Sequence, residues 1–150
     1  MTSQEHSSTY FDQVSVGDKL PELAIDITPT LIVATAIASR DYQDVHHDKA
    51  RAQELGSPDI FMNILTSNGL VGRYITDWAG PEAILKSVKI RLGAPNYPGD
   101  TMVMSGEVVA TLEEDGKCLV DIAVAGKNSI GTHVSGAVTV DLLKTAPLLR

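Results

Sequence analysis

The sequence predicts an α+β fold in which an antiparallel sheet wraps around one long, apolar helix. Three observations predict this class. Residues 63–78 carry apolar side chains at helical spacing. Four runs with two-residue alternation follow, and turn residues such as the hairpin pair Asp115-Gly116 separate them. Because an antiparallel sheet must cover its apolar face, we expect the long helix to lie against it.

Shorter elements are predicted before the long helix. Residues 21–28 have the composition of a strand. A helix is predicted over residues 31–39, because Pro29-Thr30 can open it with Thr30 as the N-cap. A second helix is predicted over residues 49–55, after an intervening polar stretch. These elements would form the part of the fold that precedes the main sheet.

The long helix over residues 63–78 is apolar on most of its circumference. Its apolar side chains recur at helical spacing, at Ile64, Leu65, Leu70, Val71, Tyr74, Ile75 and Trp78. Gly80-Pro81 ends the pattern, since proline cannot continue a helix. A helix of this kind is usually enclosed by other structure.

The second half of the chain is predicted to be an antiparallel meander. A turn at residues 128–131 precedes the last strand. The strands are marked by Val88, Ile90 and Leu92, by residues 102–112, by Cys118, Val120, Ile122 and Val124, and by Val134, Val138 and Val140. Edge strands and the outer face of such a sheet favour dimerisation.

Composition limits the classes of function. The 150 residues fit one domain, expected over residues 10–150 after a flexible polar arm at residues 1–9. The net charge of −7 disfavours nucleic acid, because phosphate binding needs clustered Lys and Arg. Cys118, the single cysteine, fits a reducing compartment. With no leader pattern and no apolar run longer than residues 31–38, the sequence predicts a soluble, cytoplasmic protein.

The stretch RDYQDVHHD at residues 40–48 concentrates acids and histidines, and three interpretations apply to it. Adjacent histidines diverge, unlike the i, i+4 pairs of helical zinc motifs, so no metal site is predicted. A structural interpretation makes Asp48 an N-cap and leaves Asp44 and His47 solvated. A catalytic interpretation pairs Asp41 with His46 across the polar turn. A carboxylate and an imidazole that share one water can perform general acid–base catalysis.

The pattern Asp41-x4-His46-x-Asp48-x3-Ala52-x3-Gly56 resembles the signature of MaoC-like, (R)-specific enoyl-CoA hydratases. The resemblance implies a hot-dog fold, in which an antiparallel sheet wraps around a central helix, and this agrees with the architecture predicted above. Between residues 41 and 108 the chain further resembles the small subunit of the heteromeric steroid side-chain enoyl-CoA hydratases. Segments ASRDYQDVHHDKA and GSPDIFMNILTSNGLVGRYITDWAGP carry this closer likeness.

The chain departs from the wider family in two places. Many members have Asn-Pro after the catalytic Asp, where this chain has Gln43-Asp44. Many carry His-Gly before the central helix, where this chain has Met62-Asn63. The steroid-type subunit shares the second departure.

The resemblance implies a role for each part of the site. Asp41 and His46 would hold the water that adds to a trans-2-enoyl-CoA, which the closer resemblance makes a steroid (cholesterol-type) side-chain thioester. The backbone N–H of Asn63, at the start of the central helix, would stabilise the enolate oxygen. No cofactor is implied, because the coenzyme A thioester is the substrate.

The sequence also offers candidates for the coenzyme A contacts, the partner subunit and the acyl pocket. The basic patch at Lys86, Lys89 and Arg91 is a candidate for the coenzyme A phosphates, or else the solvated face of a strand. The resemblance implies a heteromer with a larger MaoC-like subunit, with a homodimer as the alternative. Candidates for an apolar acyl pocket, each of which also fits plain core, are Met62, Ile64, Leu65, Val71 and Tyr74.

Two other functions stay open at this level. The chain could be a non-catalytic half of a heteromeric acyl-CoA enzyme, although an intact Asp41 and His46 argue against a passive role. It could also be a hot-dog thioesterase, a class that commonly uses a carboxylate on or near the central helix. Asp77, at the far end, is the single carboxylate between Asn63 and Trp78, which disfavours that function.

Overall fold

The computed structural model describes residues 8–146. The helices are α1 (Pro29–Ala38), α2 (Lys49–Glu54) and α3 (Ile64–Ala79). The strands are β1 (Lys19–Ile27), β2 (Ile84–Leu92), β3 (Asp100–Glu114), β4 (Lys117–Lys127) and β5 (Thr132–Asp141). Short 3₁₀ turns lie at Phe11–Gln13 and Asp44–His46. Every predicted element is present, with ends shifted by a few residues.

Most of the predicted arm at residues 1–9 lies outside the described residues. Its last part is bound to the end of α3, because the Thr9 N–H donates to the Ala79 carbonyl at 3.0 Å. The Thr9 hydroxyl donates to the Trp78 carbonyl at 2.7 Å. No helix within residues 8–146 combines the length and apolar character needed to cross a membrane.

The five strands form one antiparallel sheet in the order β1-β3-β4-β5-β2. β3, β4 and β5 form the predicted meander. The prediction is wrong for β2, which pairs with β5 at the far edge rather than with β3. Two-residue alternation identifies a strand and its buried face, but it does not specify the neighbouring strand.

The main core lies between α3 and the concave face of the sheet. The buried side chains of α3 that belong to it include Val71, Tyr74 and Ile75, and the sheet contributes residues such as Met104 and Ile122. Burial of such side chains contributes roughly 1.5–3 kcal/mol each. The helix is not enclosed all round, however, because Ile64 and Leu65 at its start are half exposed.

Local capping sets where each helix begins. The Thr28 hydroxyl accepts from the Leu31 N–H at 3.0 Å, so Thr28 rather than Thr30 is the N-cap of α1 and Pro29 occupies the first helical position. Asp48 is confirmed as the N-cap of α2, because its carboxylate accepts from the Arg51 N–H. The Asn63 side chain caps α3 in the same way.

Candidate active site

Asp41 is positioned by the way in which α1 ends. The Arg40 N–H donates to the Ile37 carbonyl at 3.0 Å, and the Asp41 N–H donates to the Ala36 carbonyl at 2.9 Å. This is a Schellman motif, which requires a left-handed residue directly after the C-cap. Arg40 takes that conformation with φ of 59°, although glycine is the usual residue there. The motif reverses the chain and turns Asp41 toward the start of α3.

His46 is positioned by the 3₁₀ turn at Asp44–His46 and by one strong hydrogen bond. Its Nδ1 lies 2.6 Å from the Phe61 carbonyl oxygen. A carbonyl only accepts, so we assign the ring proton to Nδ1, and Nε2 is left as an acceptor in the neutral ring. The Phe61 ring packs edge-on against the imidazole at 5.0 Å between centroids. The buried ring therefore presents a basic nitrogen in a fixed direction.

The two side chains meet at the entrance of a cleft. His46 Nε2 lies 3.4 Å from Asp41 Oδ2, which is longer than a strong hydrogen bond. Both atoms are within reach of one water molecule placed beside them. Two other acids of RDYQDVHHD have structural roles, since Asp48 caps α2 and Asp44 pairs with Arg51 at 3.4 Å.

Asn63 lies at the start of α3, beside this pair. Its Oδ1 accepts from the Thr66 N–H at 2.9 Å, and its Nδ2 donates to Asp41 Oδ2 at 3.0 Å. Its own backbone N–H has no hydrogen-bond acceptor within residues 8–146. An unpaired N–H at a helix N-terminus is a suitable donor for an anionic oxygen.

The cleft around these residues has a volume of about 330 Å³. Its lining is contributed by Asp41, Gln43 and His46, by 61–64, by 92–95 and by His133. A larger depression of about 500 Å³ lies across β1, β3 and β4, but its lining holds Lys19, Glu22 and Glu107 and no histidine. The smaller cleft is the candidate active site, because it alone of these two brings an acid and an imidazole together.

The comparison with protein families decides the class of this site. A family model described as "MaoC like domain" matches residues 13–134, which covers most of the chain. The chain belongs to the MaoC-like family. The predicted hot-dog architecture is confirmed by the solved structures that share it.

Relatives within the MaoC-like family include a curated protein of Mycobacterium tuberculosis, the 3-oxo-4,17-pregnadiene-20-carboxyl-CoA hydratase beta subunit. The two are 53% identical over 127 residues, or 85% of this chain and 95% of the relative. The crystal structure of the ChsH1-ChsH2 complex from the same organism matches with a TM-score of 0.80 and 51% identity, over 85% of this chain and 98% of that chain. The unliganded R-hydratase PhaJ1 of Pseudomonas aeruginosa matches with a TM-score of 0.82 at 23% identity, over 94% and 92% of the chains, which shows the fold alone.

His133 is a residue of the MaoC-like cleft that the sequence patterns did not reveal. Its Nδ1 lies 2.7 Å from the Ala94 carbonyl and its Nε2 lies 2.7 Å from the Ser67 hydroxyl. Nδ1 therefore carries the proton, and the Ser67 hydroxyl donates to Nε2. Burial lowers the pKa of His133 below its usual value, although the hydrogen bond to Ala94 opposes the shift. A single histidine in an apolar strand was the available signal, and it is not specific.

The predicted acyl-pocket residues fall in different places. Met62 and Ile64 line the cleft. Leu65 is half exposed and is not part of that lining. Tyr74 is buried farther along α3, where its hydroxyl donates to the Pro21 carbonyl at 3.0 Å and burial raises its pKa to about 12. Val71 is fully buried in the core.

The predicted coenzyme A residues lie together on the edge strand β2. Lys86 Nζ lies 3.4 Å from the Asp141 carboxylate, and Lys89 and Arg91 are exposed. The chain that follows Arg91 enters the lining of the cleft at Leu92. Within residues 8–146, no group of three or more His, Cys, Asp or Glu side chains is arranged to hold a metal ion.

Proposed function

We propose that this chain is an enoyl-CoA hydratase subunit that adds water to a trans-2-enoyl-CoA. The observation that carries the proposal is the pair of His46 Nε2 and Asp41 Oδ2, 3.4 Å apart at the cleft, with the imidazole oriented by the Phe61 carbonyl. Membership of the MaoC-like family and the hydratase name of a 53% identical relative support it.

In the proposed reaction, Asp41 and His46 hold one water molecule. The neutral His46 Nε2 takes a proton from the water as its oxygen bonds to Cβ of the enoyl group. A proton is then returned to Cα, so that the elements of one water are added across the double bond. Such acid–base catalysis contributes typically about 10²–10⁴-fold to a rate.

Negative charge builds on the thioester oxygen as the water adds. We propose that the unpaired N–H of Asn63 donates to this oxygen and that the positive end of the α3 dipole adds to the stabilisation. Loss of one such donor costs about 10²–10³-fold in rate. The reaction needs no cofactor beyond the coenzyme A carried by the substrate.

The proposed substrate is a steroid side-chain enoyl-CoA, because the M. tuberculosis relative is named for a pregnadiene carboxyl-CoA. The cleft of about 330 Å³ has Met62 and Ile64 among its lining residues, which offer apolar surface to an acyl chain. We further propose a heteromer with a larger MaoC-like subunit, since a solved structure at 51% identity is a two-protein complex. Lys86, Lys89 and Arg91 remain the proposed contacts for the coenzyme A phosphates.

No contact found at α3 favours thioester hydrolysis. Asp77 pairs with Arg73 at 3.2 Å on the exposed side of the helix rather than facing the cleft. A non-catalytic role would not explain why the Phe61 carbonyl orients His46 so that its Nε2 faces Asp41. The assay below separates these functions directly.

The test incubates the purified protein with a steroid side-chain enoyl-CoA or with crotonyl-CoA and follows the absorbance of the substrate's enoyl thioester. A thiol reagent is present to detect any free coenzyme A. Hydration removes the absorbance without releasing a thiol. We expect Asp41→Asn and His46→Ala each to lower kcat by about 10²–10⁴-fold, because each removes one side of the water site. The double variant should lose little more than either single variant, since the two residues act as one unit.

Matched controls lie in the same loop. His47→Ala and Asp44→Asn change an exposed histidine and an exposed carboxylate, and both should retain most of the activity. Release of thiol would show a thioesterase instead. Equal activity of His46→Ala and wild type, or no activity from the folded protein together with its partner subunit, would rule out the proposed function for this chain.

A further inference from the structure

We infer that the Asn63 carboxamide is a positioning residue that holds the Asp41 carboxylate toward His46. The inference rests on the proposed hydratase function but concerns a different group from the backbone N–H of the same residue. It assigns to the side chain a role in the reaction in addition to its capping of α3.

Each polar group of the Asn63 side chain has a partner. Oδ1 accepts from the Thr66 N–H at 2.9 Å, and the two Nδ2 hydrogens point to Asp41 Oδ2 and Ser39 Oγ, both at 3.0 Å. The flipped amide would place Nδ2 against the Thr66 N–H, so the orientation of the carboxamide is determined. Asn63 is almost fully buried, which strengthens these bonds relative to exposed ones.

Ser39 extends the support behind the carboxamide. Its hydroxyl lies 2.7 Å from the Thr35 carbonyl and 3.1 Å from the Ala36 carbonyl, so it donates into the end of α1 and accepts from Nδ2. The carboxamide thus joins the end of α1 to the start of α3. Asp41 lies between these two helix ends.

The contact to Asp41 is made on the oxygen that matters for the reaction. Oδ2 is the atom that faces His46 Nε2 at 3.4 Å and also the atom that accepts from Asn63. A hydrogen bond to the charged form stabilises the carboxylate and restricts its rotation about χ2. Without this donor the carboxylate is free to turn out of the position in which it shares a water with His46.

Asn63 has three roles that substitutions can separate: its backbone N–H, its capping of α3 and the contact of its carboxamide with Asp41. Asn63→Ser keeps a good N-cap and the backbone N–H, but its hydroxyl is one bond too short to cap Thr66 and also reach Asp41. Asn63→Asp keeps the shape and the cap, but it places a second carboxylate against Asp41 Oδ2. Asn68→Ser, on the exposed side of the same helix, is the matched control.

We expect Asn63→Ser to lower kcat by about tenfold to a hundredfold with little change in KM, the effect of a displaced catalytic group. Asn63→Asp should be least active at neutral pH and should recover partly as the pH falls, because a protonated carboxyl group can again donate to Asp41. Asn68→Ser should match wild type.

A second measurement does not depend on activity. The carbon-13 chemical shift of the Asp41 carboxylate at neutral pH should differ between Asn63→Ser and wild type, because the hydrogen bond from Nδ2 to Oδ2 is lost, and Asn68→Ser should keep the wild-type shift. Wild-type kcat in both Asn63 variants, or an unchanged carbon-13 shift of the Asp41 carboxylate in Asn63→Ser, would overturn the inference. If Asp41→Asn is itself fully active, the proposed function has failed, and the NMR result still decides whether Asn63 holds Asp41.

Discussion

Two histidines face the same cleft and have opposite relations to their surroundings. His46 presents Nε2 to Asp41, so its basic nitrogen is available for chemistry. His133 has both nitrogens occupied, by the Ala94 carbonyl and the Ser67 hydroxyl. Both residues are histidines that line the cleft, so these two properties do not distinguish the candidate catalytic residue. The partner of Nε2 does, since it is a carboxylate for His46 and a hydroxyl donor for His133.

Burial of His133 predicts a pH dependence of stability. Its pKa is lowered in the folded state, chiefly by desolvation, so the unfolded chain binds the proton more tightly. The free energy of unfolding should therefore fall as the pH drops below about 6.5, the ordinary pKa of histidine, until the pH passes the folded pKa. Above that window the contribution of His133 is constant.

The measurement is denaturant unfolding of wild type and His133→Gln between pH 8 and pH 5. The variant should be less stable at pH 8, by about 1–3 kcal/mol for its broken hydrogen bonds, and its stability should fall less steeply with decreasing pH. His47→Gln, which changes an exposed histidine, should keep the wild-type slope. Parallel curves for wild type and His133→Gln would contradict the assignment of the slope to His133.

At the scale of the elements, the sheet depends on close approach between β5 and β2. Gly136 on β5 pairs with Ile90 on β2. A Cβ built on Gly136 would fall well inside van der Waals contact with the Lys89 carbonyl oxygen, which is backbone and cannot move without breaking the strand pairing. Gly106 on β3 is also tight, but its neighbours are side-chain atoms at 3.2–3.3 Å.

These surroundings predict a difference between two identical substitutions. Gly136→Ala should lower the free energy of unfolding by about 3 kcal/mol or more, at or above the upper end of overpacking costs. Gly106→Ala should change the free energy of unfolding by less than about 1 kcal/mol. The neighbouring side chains can shift, and alanine also lowers the conformational entropy of the unfolded chain, which favours the folded state. Chemical denaturation of the two variants tests this order. Equal losses would show that the backbone contact at Gly136 is not the cause.

At the scale of the whole molecule, large apolar side chains are left uncovered on both α3 and β2. Exposed are Ile64 and Leu65 at the start of α3 and Ile84 and Leu85 at the start of β2. A Cβ on Gly72 of α3 would lie 3.8 Å from Leu85, so the helix and the strand are in contact there. β2 is also an edge strand. Exposed apolar surface beside an unpaired edge is typical of a subunit contact.

The proposed heteromer predicts that the larger subunit covers these apolar side chains. Mixed with that subunit, the chain should give a light-scattering mass equal to at least one copy of each protein, and Leu65→Asp should lower that mass. Leu112→Asp is the control, because Leu112 on β3 is 50% exposed and Leu65 is 51% exposed. A Leu65→Asp variant that forms the complex with the wild-type mass would exclude these side chains as the contact with the larger subunit.

Much of the fold could be predicted from the sequence because periodicity is a local property. The alternation in the second half identified the strands, and the apolar spacing at residues 63–78 identified α3. The N-cap of α1 was misplaced by two residues, since Thr28 and Thr30 are chemically equivalent candidates. Strand order was beyond reach for β2, because alternation carries no information on which strand lies beside it.

By itself, the sequence determined the class of the fold and the acid and imidazole of the candidate site. Both depend on residues close together in the chain, with Asp41 and His46 in one polar turn. Only the tertiary structure decided what supports them, since Phe61 and Asn63, which bond to His46 and Asp41, come to the cleft from distant positions in the chain. The physical reason is that hydrogen bonds to buried polar groups are selected by three-dimensional packing, which local spacing does not encode.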